Sequence, residues 1–276
     1  MSNLITNIVK GIIGKFKPKA ESTRFKDISW AVEKILKHED DHTPKQKKLP
    51  IGLIHYKRPY EVLHTYRELF CKEIYQFDSK SDTPIILDCG SNIGLSVLYF
   101  KTIYPNAKVW AFEPDATNYE LLTKNILSNS LQDVIAEPAA IWISDGTISF
   151  SGNGSEASRI DEHNTNTANH TVACVRLKKL LCKFEKIDFL KMDIEGGEYK
   201  VITDCANELY RVNNFFLEYH GKSTETKHLT ELLEIVDKQG FQAYIRNAAD
   251  TLVHPFIEKQ TNTQFDVQLN IFCYKK

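Results

Sequence analysis

The stretch from Pro84 to Asp115 constrains this chain more than any other. It reads Pro-Ile-Ile-Leu-Asp-Cys-Gly-Ser-Asn-Ile-Gly-Leu-Ser, then a helical run, then Lys-Val-Trp-Ala-Phe-Glu-Pro-Asp. An apolar strand ends in an acid, Asp88, and a turn carrying Gly90 and Gly94 opens a helix. A second apolar strand then ends in another acid, Glu113. A strand–turn–helix–strand unit of this kind grips an adenosine-type cofactor.

The turn also selects among such cofactors. A dinucleotide site uses Gly-x-Gly-x-x-Gly, whose third glycine is absent here, because Val97 stands three residues after Gly94. Asp-x-Gly-x-Asn-x-Gly instead fits S-adenosylmethionine, which has a ribose and an amino acid but no pyrophosphate. Gly90 lets the backbone pass close to the cofactor, and Gly94 lets the helix start tight against the strand. Asp88 is placed to accept from the ammonium side of the cofactor or from a water, with Ser91 and Asn92 beside it. Glu113 is placed to bind the ribose hydroxyls. Pro114 and Asp115 shape the turn that follows, where Asp115 reads as a helix cap.

Downstream of this unit, strands and helices alternate, which argues for a doubly wound sheet. Strands are expected at Ile85–Asp88, Lys108–Glu113, Val134–Ile143, Ile148–Phe150, Ile187–Met192 and Asn214–Glu218, with a closing pair at Phe241–Ile245 and Gln268–Tyr274. Ser151–Asn169 is polar and long for a connection in a compact domain, so it reads as a lid or a disordered loop, with Arg159, His163 and His170 in or beside it. The first 58 residues read as a helical extension ahead of a catalytic domain over 59–276. It includes helices over 2–16 and 27–37 and a charged linker over His38–Pro50. A helix is then expected to begin at Pro59.

Leu190-Lys-Met-Asp-Ile-Glu-Gly-Gly-Glu198 brings Asp193 and Glu195 to the C-terminal edge of the fourth strand, where ligands of open α/β sheets collect. Glu198 suits a capping role for the next helix. Phe215-Phe-Leu-Glu-Tyr-His220 brings Glu218 and His220 to the same rim. Asp193, Glu195 and His220 are therefore the candidate acid–base residues. Histidine has the best-placed intrinsic pKa for that work and Asp193 the better position.

These motifs, in this order and spacing, resemble the FkbM-type family of S-adenosylmethionine-dependent methyltransferases, from about Tyr75 to the C-terminus. The resemblance implies a class I methyltransferase (Rossmann-like) α/β fold. That fold has a seven-stranded, mostly parallel sheet whose last strand is antiparallel, with helices on both faces. It also implies O-methylation of sugar or natural-product hydroxyls. Carried over by position, Asp88, Gly90, Asn92, Gly94 and Glu113 bind the cofactor, Ala139 and Ala140 lie by the adenine, and Asp193 lies near the methionine end. A cofactor-binding scaffold without turnover is the competing class, against which the intact acidic rim speaks.

Charge and cysteine usage narrow the setting. Net charge is −1, which gives no global sign of nucleic-acid binding, yet residues 1–60 hold 13 Lys and Arg against 6 Asp and Glu. Leu4, Ile5, Ile8, Val9, Ile12, Ile13 and Phe16 fall at helical spacing beside that charge. Such a stripe suits peripheral membrane contact through residues 1–20 or packing on the protein's own surface. Six cysteines without metal-ligand spacing suggest a reduced cytoplasmic protein, and no metal site is expected from them. A divalent cation held by the rim acids is the alternative way to activate a hydroxyl.

Overall fold

The computed structural model describes residues 24–151, 159–160, 170–249, 254, 256–257 and 265–275. Elements in chain order are α1 (Trp30–Leu36), β1 (Lys45–Leu49), β2 (Gly52–Tyr56) and α2 (Pro59–Tyr66), which widens into a π-helical turn at Arg67–Cys71. Next come β3 (Ile85–Cys89), α3 (Leu95–Ile103), β4 (Lys108–Phe112), α4 (Ala116–Ser128), β5 (Val134–Glu137) and β6 (Ala139–Trp142). Then follow β7 (Gly146–Ser151), β8 (Arg159–Ile160), β9 (His170–Arg176), α5 (Leu177–Leu181), β10 (Ile187–Met192) and α6 (Glu198–Cys205). The chain closes with β11 (Val212–Gly221), α7 (Thr226–Lys238), β12 (Gln242–Asn247) and β13 (Val267–Tyr274).

Seven strands form the main sheet in the order β12-β13-β11-β10-β3-β4-β5. Every neighbouring pair from β11 to β5 is parallel, and β13 runs antiparallel to both β11 and β12. This is the expected class I arrangement with the last strand reversed. β10 is buried along its whole length, as a central strand covered on both faces must be. Successive side chains alternate between two cores. Leu87, Leu190 and Phe215 pack with α5, α6 and α7, whereas Ile86, Phe189 and Phe216 pack with α2, α3 and the N-terminal elements.

Two expectations are corrected. Residues 45–56 form a β-hairpin, β1 against β2, where a linker was expected within a helical extension. Its sequence looks polar because Lys45, Lys47 and Lys48 dominate it, but Leu49, Ile54 and Tyr56 point inward and join the core. Side-chain amides of α4 then complete the edge of β2. Asn125 Oδ1 accepts from His55 N–H at 2.6 Å and its Nδ2 donates to the His55 carbonyl at 2.9 Å, while Asn129 brackets Leu53 in the same way.

The expected strand over Val134–Ile143 also divides at Pro138. β5 stays in the main sheet, and β6 enters a separate four-stranded sheet of order β6-β9-β7-β8. Proline has no N–H to extend a ladder, so pairing changes partner there. The helix expected over 2–16 and most of the Ser151–Asn169 segment, His163 included, lie outside the described residues.

Candidate active site

The glycine turn is folded by backbone contacts. The N–H groups of Gly90 and Ser91 both donate to the Phe112 carbonyl, at 3.0 and 2.9 Å, tying the end of β3 to the end of β4. Gly90 has φ +82°, and a Cβ there would lie 1.8 Å from the Asp193 carbonyl oxygen, so no other residue fits. The glycine therefore admits the strand-end of β10 as well as leaving space on its open side. Gly94 has φ +84° and sits against Leu122 of α4, where a Cβ would come within 2.5 Å of Cδ1.

Glu113 closes this turn. Its Oε2 accepts from Asn92 N–H at 2.8 Å and its Oε1 from Asp115 N–H at 2.9 Å. Burial pushes the Glu113 carboxyl up to about 7, against the pull of those two N–H groups. Asp115 caps α4 by accepting from Thr117 and Asn118 N–H. Asn92 lines the cavity with a buried Oδ1 that has no hydrogen-bond partner.

Asp88 lies beneath the turn and is fully buried. One of its oxygens accepts from Ser96 Oγ at 2.5 Å, and the other stands 3.6 Å from Lys191 Nζ. Lys191 also donates to the Gly90 carbonyl and lies 3.4 Å from Asp193 Oδ2. Burial disfavours the charge of this lysine, but the Asp193 and Asp88 carboxylates outweigh that cost and hold its pKa above the ordinary value. The sequence reading missed Lys191. Its signal was a lysine inside a strand otherwise made for burial on both faces, which requires acidic partners.

On the other side, β10 ends in Asp193, followed by Ile194, then Glu195 at φ +57° and the Gly196-Gly197 turn. Glu198 caps that turn from the start of α6, accepting from Ile194 N–H at 3.1 Å and from Gly196 N–H. It has a second task, because His220 Nδ1 donates to its Oε1 at 3.2 Å. This directs His220 Nε2 toward Glu195 Oε2, at 3.6 Å, and Glu218 Oε1, at 3.9 Å. Burial works against a charged ring here, but the Glu198 carboxylate raises His220 to about 10. Burial and the charge of Asp193 hold the Glu195 carboxyl above its usual range.

A single cavity at the C-terminal ends of β3, β4, β10 and β11 joins the two sides. Gly90, Ser91, Asn92, Glu113, Pro114 and Ala140 line one wall, and Asp193, Glu195, Glu218 and Asn270 the other. Arg58, Glu61, Thr65 and Leu69, on or flanking α2, form a third side, and Tyr75 also contributes. Asp88 and Gly94 stand behind the wall, and His220 stands behind Glu195. Ala139 is likewise set back while its neighbours Ala140 and Ile141 reach the cavity. Asn270 was also missed. It lies on β13 in register with Glu218, a pairing that no local pattern announces.

The sequence profile of the methyltransferase FkbM domain matches residues 88–243, which hold the first wall and all of the second except Asn270. The chain belongs to the FkbM methyltransferase family. It is 30% identical over 209 residues to methyltransferase sdnD of Sordaria araneosa, a match covering 63% of this chain and 81% of that protein. It is 28% identical over 171 residues to the hexuronic acid methyltransferase AglP of Haloferax volcanii, covering 56% of this chain and 64% of that protein. Among solved structures, it is similar to the FkbM methyltransferase of Methylobacillus flagellatus KT, with 17% identity and a TM-score of 0.45. That alignment covers 71% of this chain and 45% of the solved one. As a member of this family the protein is an S-adenosylmethionine-dependent methyltransferase.

Proposed function

We propose that this FkbM-family enzyme methylates a hydroxyl of a sugar or glycan. The observation that carries the reading is one cavity with a backbone-built cradle on one wall and Asp193, Glu195, Glu218 and Asn270 on the other. A wall of carboxylates and an amide suits a ligand rich in hydroxyl groups, since each oxygen can accept a hydrogen bond. The similarity to a hexuronic acid methyltransferase favours a sugar over other hydroxyl compounds.

The cradle suits the cofactor. Glu113 would take the ribose hydroxyls and Ala140 would flank the adenine. Gly90, Ser91 and Asn92, with its unpartnered buried oxygen, would hold the methionine end, and Pro114 would shape the wall. Asp88 and Gly94 would support that cradle from behind. When bound, the cofactor supplies an electrophilic methyl carbon on a sulfonium. The chain aligns the acceptor oxygen with that carbon, keeps the site dry and receives the hydroxyl proton. The carboxylates of Asp193, Glu195 and Glu218 face the acceptor for this purpose. His220, held by Glu198, stands against Glu195 on the same side.

Methyl transfer from labelled S-adenosylmethionine to nucleotide sugars, free uronic acids and polyketide hydroxyls tests the reading. Product formed only on sugars is expected, and turnover confined to polyketide hydroxyls would overturn it. A membrane-assembled glycan would also suit the basic amphipathic pattern of residues 1–20. Cosedimentation with anionic vesicles of the full chain, but not of a chain lacking those residues, is the expected result.

A further inference from the structure

We propose that Asp193, Glu195 and His220 hold a divalent cation of the magnesium–manganese class on the acceptor wall. The inference rests on the methyltransferase reading and gives this wall a more specific chemistry. One ligand atom from each of the three residues lies within 4.8 Å of the others. Atoms coordinated to such a cation at about 2.1 Å stand about 3 to 4 Å apart, so small rotamer shifts close the set. The donors come from the end of β10, the turn after it and β11; Asp193 and Glu195 line a cavity that a ligand can enter, and His220 stands directly behind Glu195.

The histidine is oriented as a metal ligand. Its Nδ1 is engaged by the buried Glu198 carboxylate, which leaves Nε2 facing the two acids. A carboxylate behind an imidazole is how ligating histidines are commonly fixed, with the far nitrogen left for the metal. Glu198 therefore has a role beyond capping a turn.

Charge points the same way. Asp193, Glu195 and Glu218 crowd around Nε2, with Glu198 behind the ring. Lys191, the cation beside them, already divides itself between Asp88, Asp193 and the Gly90 carbonyl. A divalent cation taking the place of the Nε2 proton would meet these same acids.

Asn270 supplies an independent sign of a ligand. It is 8% exposed, lies across from Glu218 on the cavity wall, and its buried Oδ1 has no hydrogen-bond partner. An unmet acceptor in such a place is costly unless something bound donates to it. A water on the cation or the acceptor's own hydroxyl would do so. Two carboxylates and one imidazole, without thiolates, suit a cation that takes oxygen ligands together with one nitrogen, as manganese does.

A cation there would polarise the acceptor hydroxyl. The hydroxyl proton passes to Glu218 as the oxygen bonds to the methyl carbon, and the sulfur keeps the electron pair of the breaking C–S bond. Asp193 and Glu195 then serve as ligands, and Glu218 is the proton acceptor.

The test is a titration of the full chain with MnCl2, followed by electron paramagnetic resonance, beside calorimetry with S-adenosylhomocysteine. One Mn2+ per chain is expected, bound at least tenfold more weakly by Asp193→Asn and by His220→Asn. Binding of S-adenosylhomocysteine should stay near that of the unaltered protein in His220→Asn, whose side chain stands behind Glu195 and away from the cofactor cradle. Asp193 is partly exposed at the rim, so its variant keeps the test valid if His220→Asn fails to fold. Binding of S-adenosylhomocysteine without Mn2+, or Mn2+ binding unchanged in Asp193→Asn, overturns the cation site and leaves the methyltransferase reading intact. Mn2+ binding without S-adenosylhomocysteine would support the cation site and count against the assigned cofactor cradle.

Discussion

The wall proposed to hold the methyl donor, from Gly90 to Glu113 and called the donor wall below, takes its shape from main-chain contacts, in contrast to the facing acceptor wall. The N–H groups of Gly90 and Ser91 reach a neighbouring carbonyl, and one carboxylate gathers two further N–H groups. On the acceptor wall, Asp193, Glu195, Glu218, His220 and Asn270 arrive as side chains from two strand ends, a turn and the reversed last strand. The first wall is tied together by main-chain hydrogen bonds around one buried carboxyl, Glu113. The second concentrates carboxylates in a largely buried place. A wall built from local main-chain contacts and a wall built from side chains of distant elements should respond differently to substitution.

Lys191 bridges the two walls, so its loss tests whether they are independent. Replacing it by Met leaves Asp88 and Asp193 without their shared cation and should cost about 3–5 kcal/mol of folding stability. Urea unfolding measures this, and a loss below about 1 kcal/mol would mean that the walls do not depend on each other.

Changes confined to the acceptor wall should separate chemistry from donor binding. Glu195→Gln is expected to lower turnover by about 100-fold or more while the Kd for S-adenosylhomocysteine stays within about threefold. A parallel loss of affinity would erase the distinction drawn between the walls.

Glu113 gives the donor wall its pH dependence. Its folded pKa, about 7, lies above the ordinary 4.5. The neutral carboxyl is therefore favoured by the fold, and its contribution to stability is complete below about 4.5 and lost as pH rises to about 7. Ribose hydroxyls are better bound by the ionised form, so affinity for S-adenosylhomocysteine should tighten through the same window. Glu113→Gln should weaken that binding by about tenfold and flatten the profile, measured by calorimetry between pH 5 and 8.5.

The smallest effect is expected behind the donor wall. Asn129→Ala removes both hydrogen bonds that hold Leu53 of β2 and should cost about 1–2 kcal/mol with turnover unchanged. A fall in turnover would show that the hairpin positions the cavity as well as covering the core.

Much of the geometry of the glycine turn was legible because its determinants are local. Two acids at strand ends and two glycines at a turn impose the same geometry wherever they occur in this order. The seven strands and the reversed last strand were expected through family resemblance, and the apolar runs placed most of the strands. The hairpin at residues 45–56 was not legible, since its lysines hide an alternation that becomes meaningful only against Asn125 and Asn129. Pro138 marks a break that the apolar run around it concealed.

The sequence by itself determined the parallel core, the glycine turn and the class of cofactor, because backbone conformation and strand periodicity are written in neighbouring residues. Tertiary structure alone decided that Asp88 supports the turn from behind, that Lys191 joins the walls, that Glu198 aims His220, and that Asn270 faces the cavity with an unmet oxygen. These depend on register between distant strands and on how buried charges find partners, and neither is encoded at any single stretch of the chain.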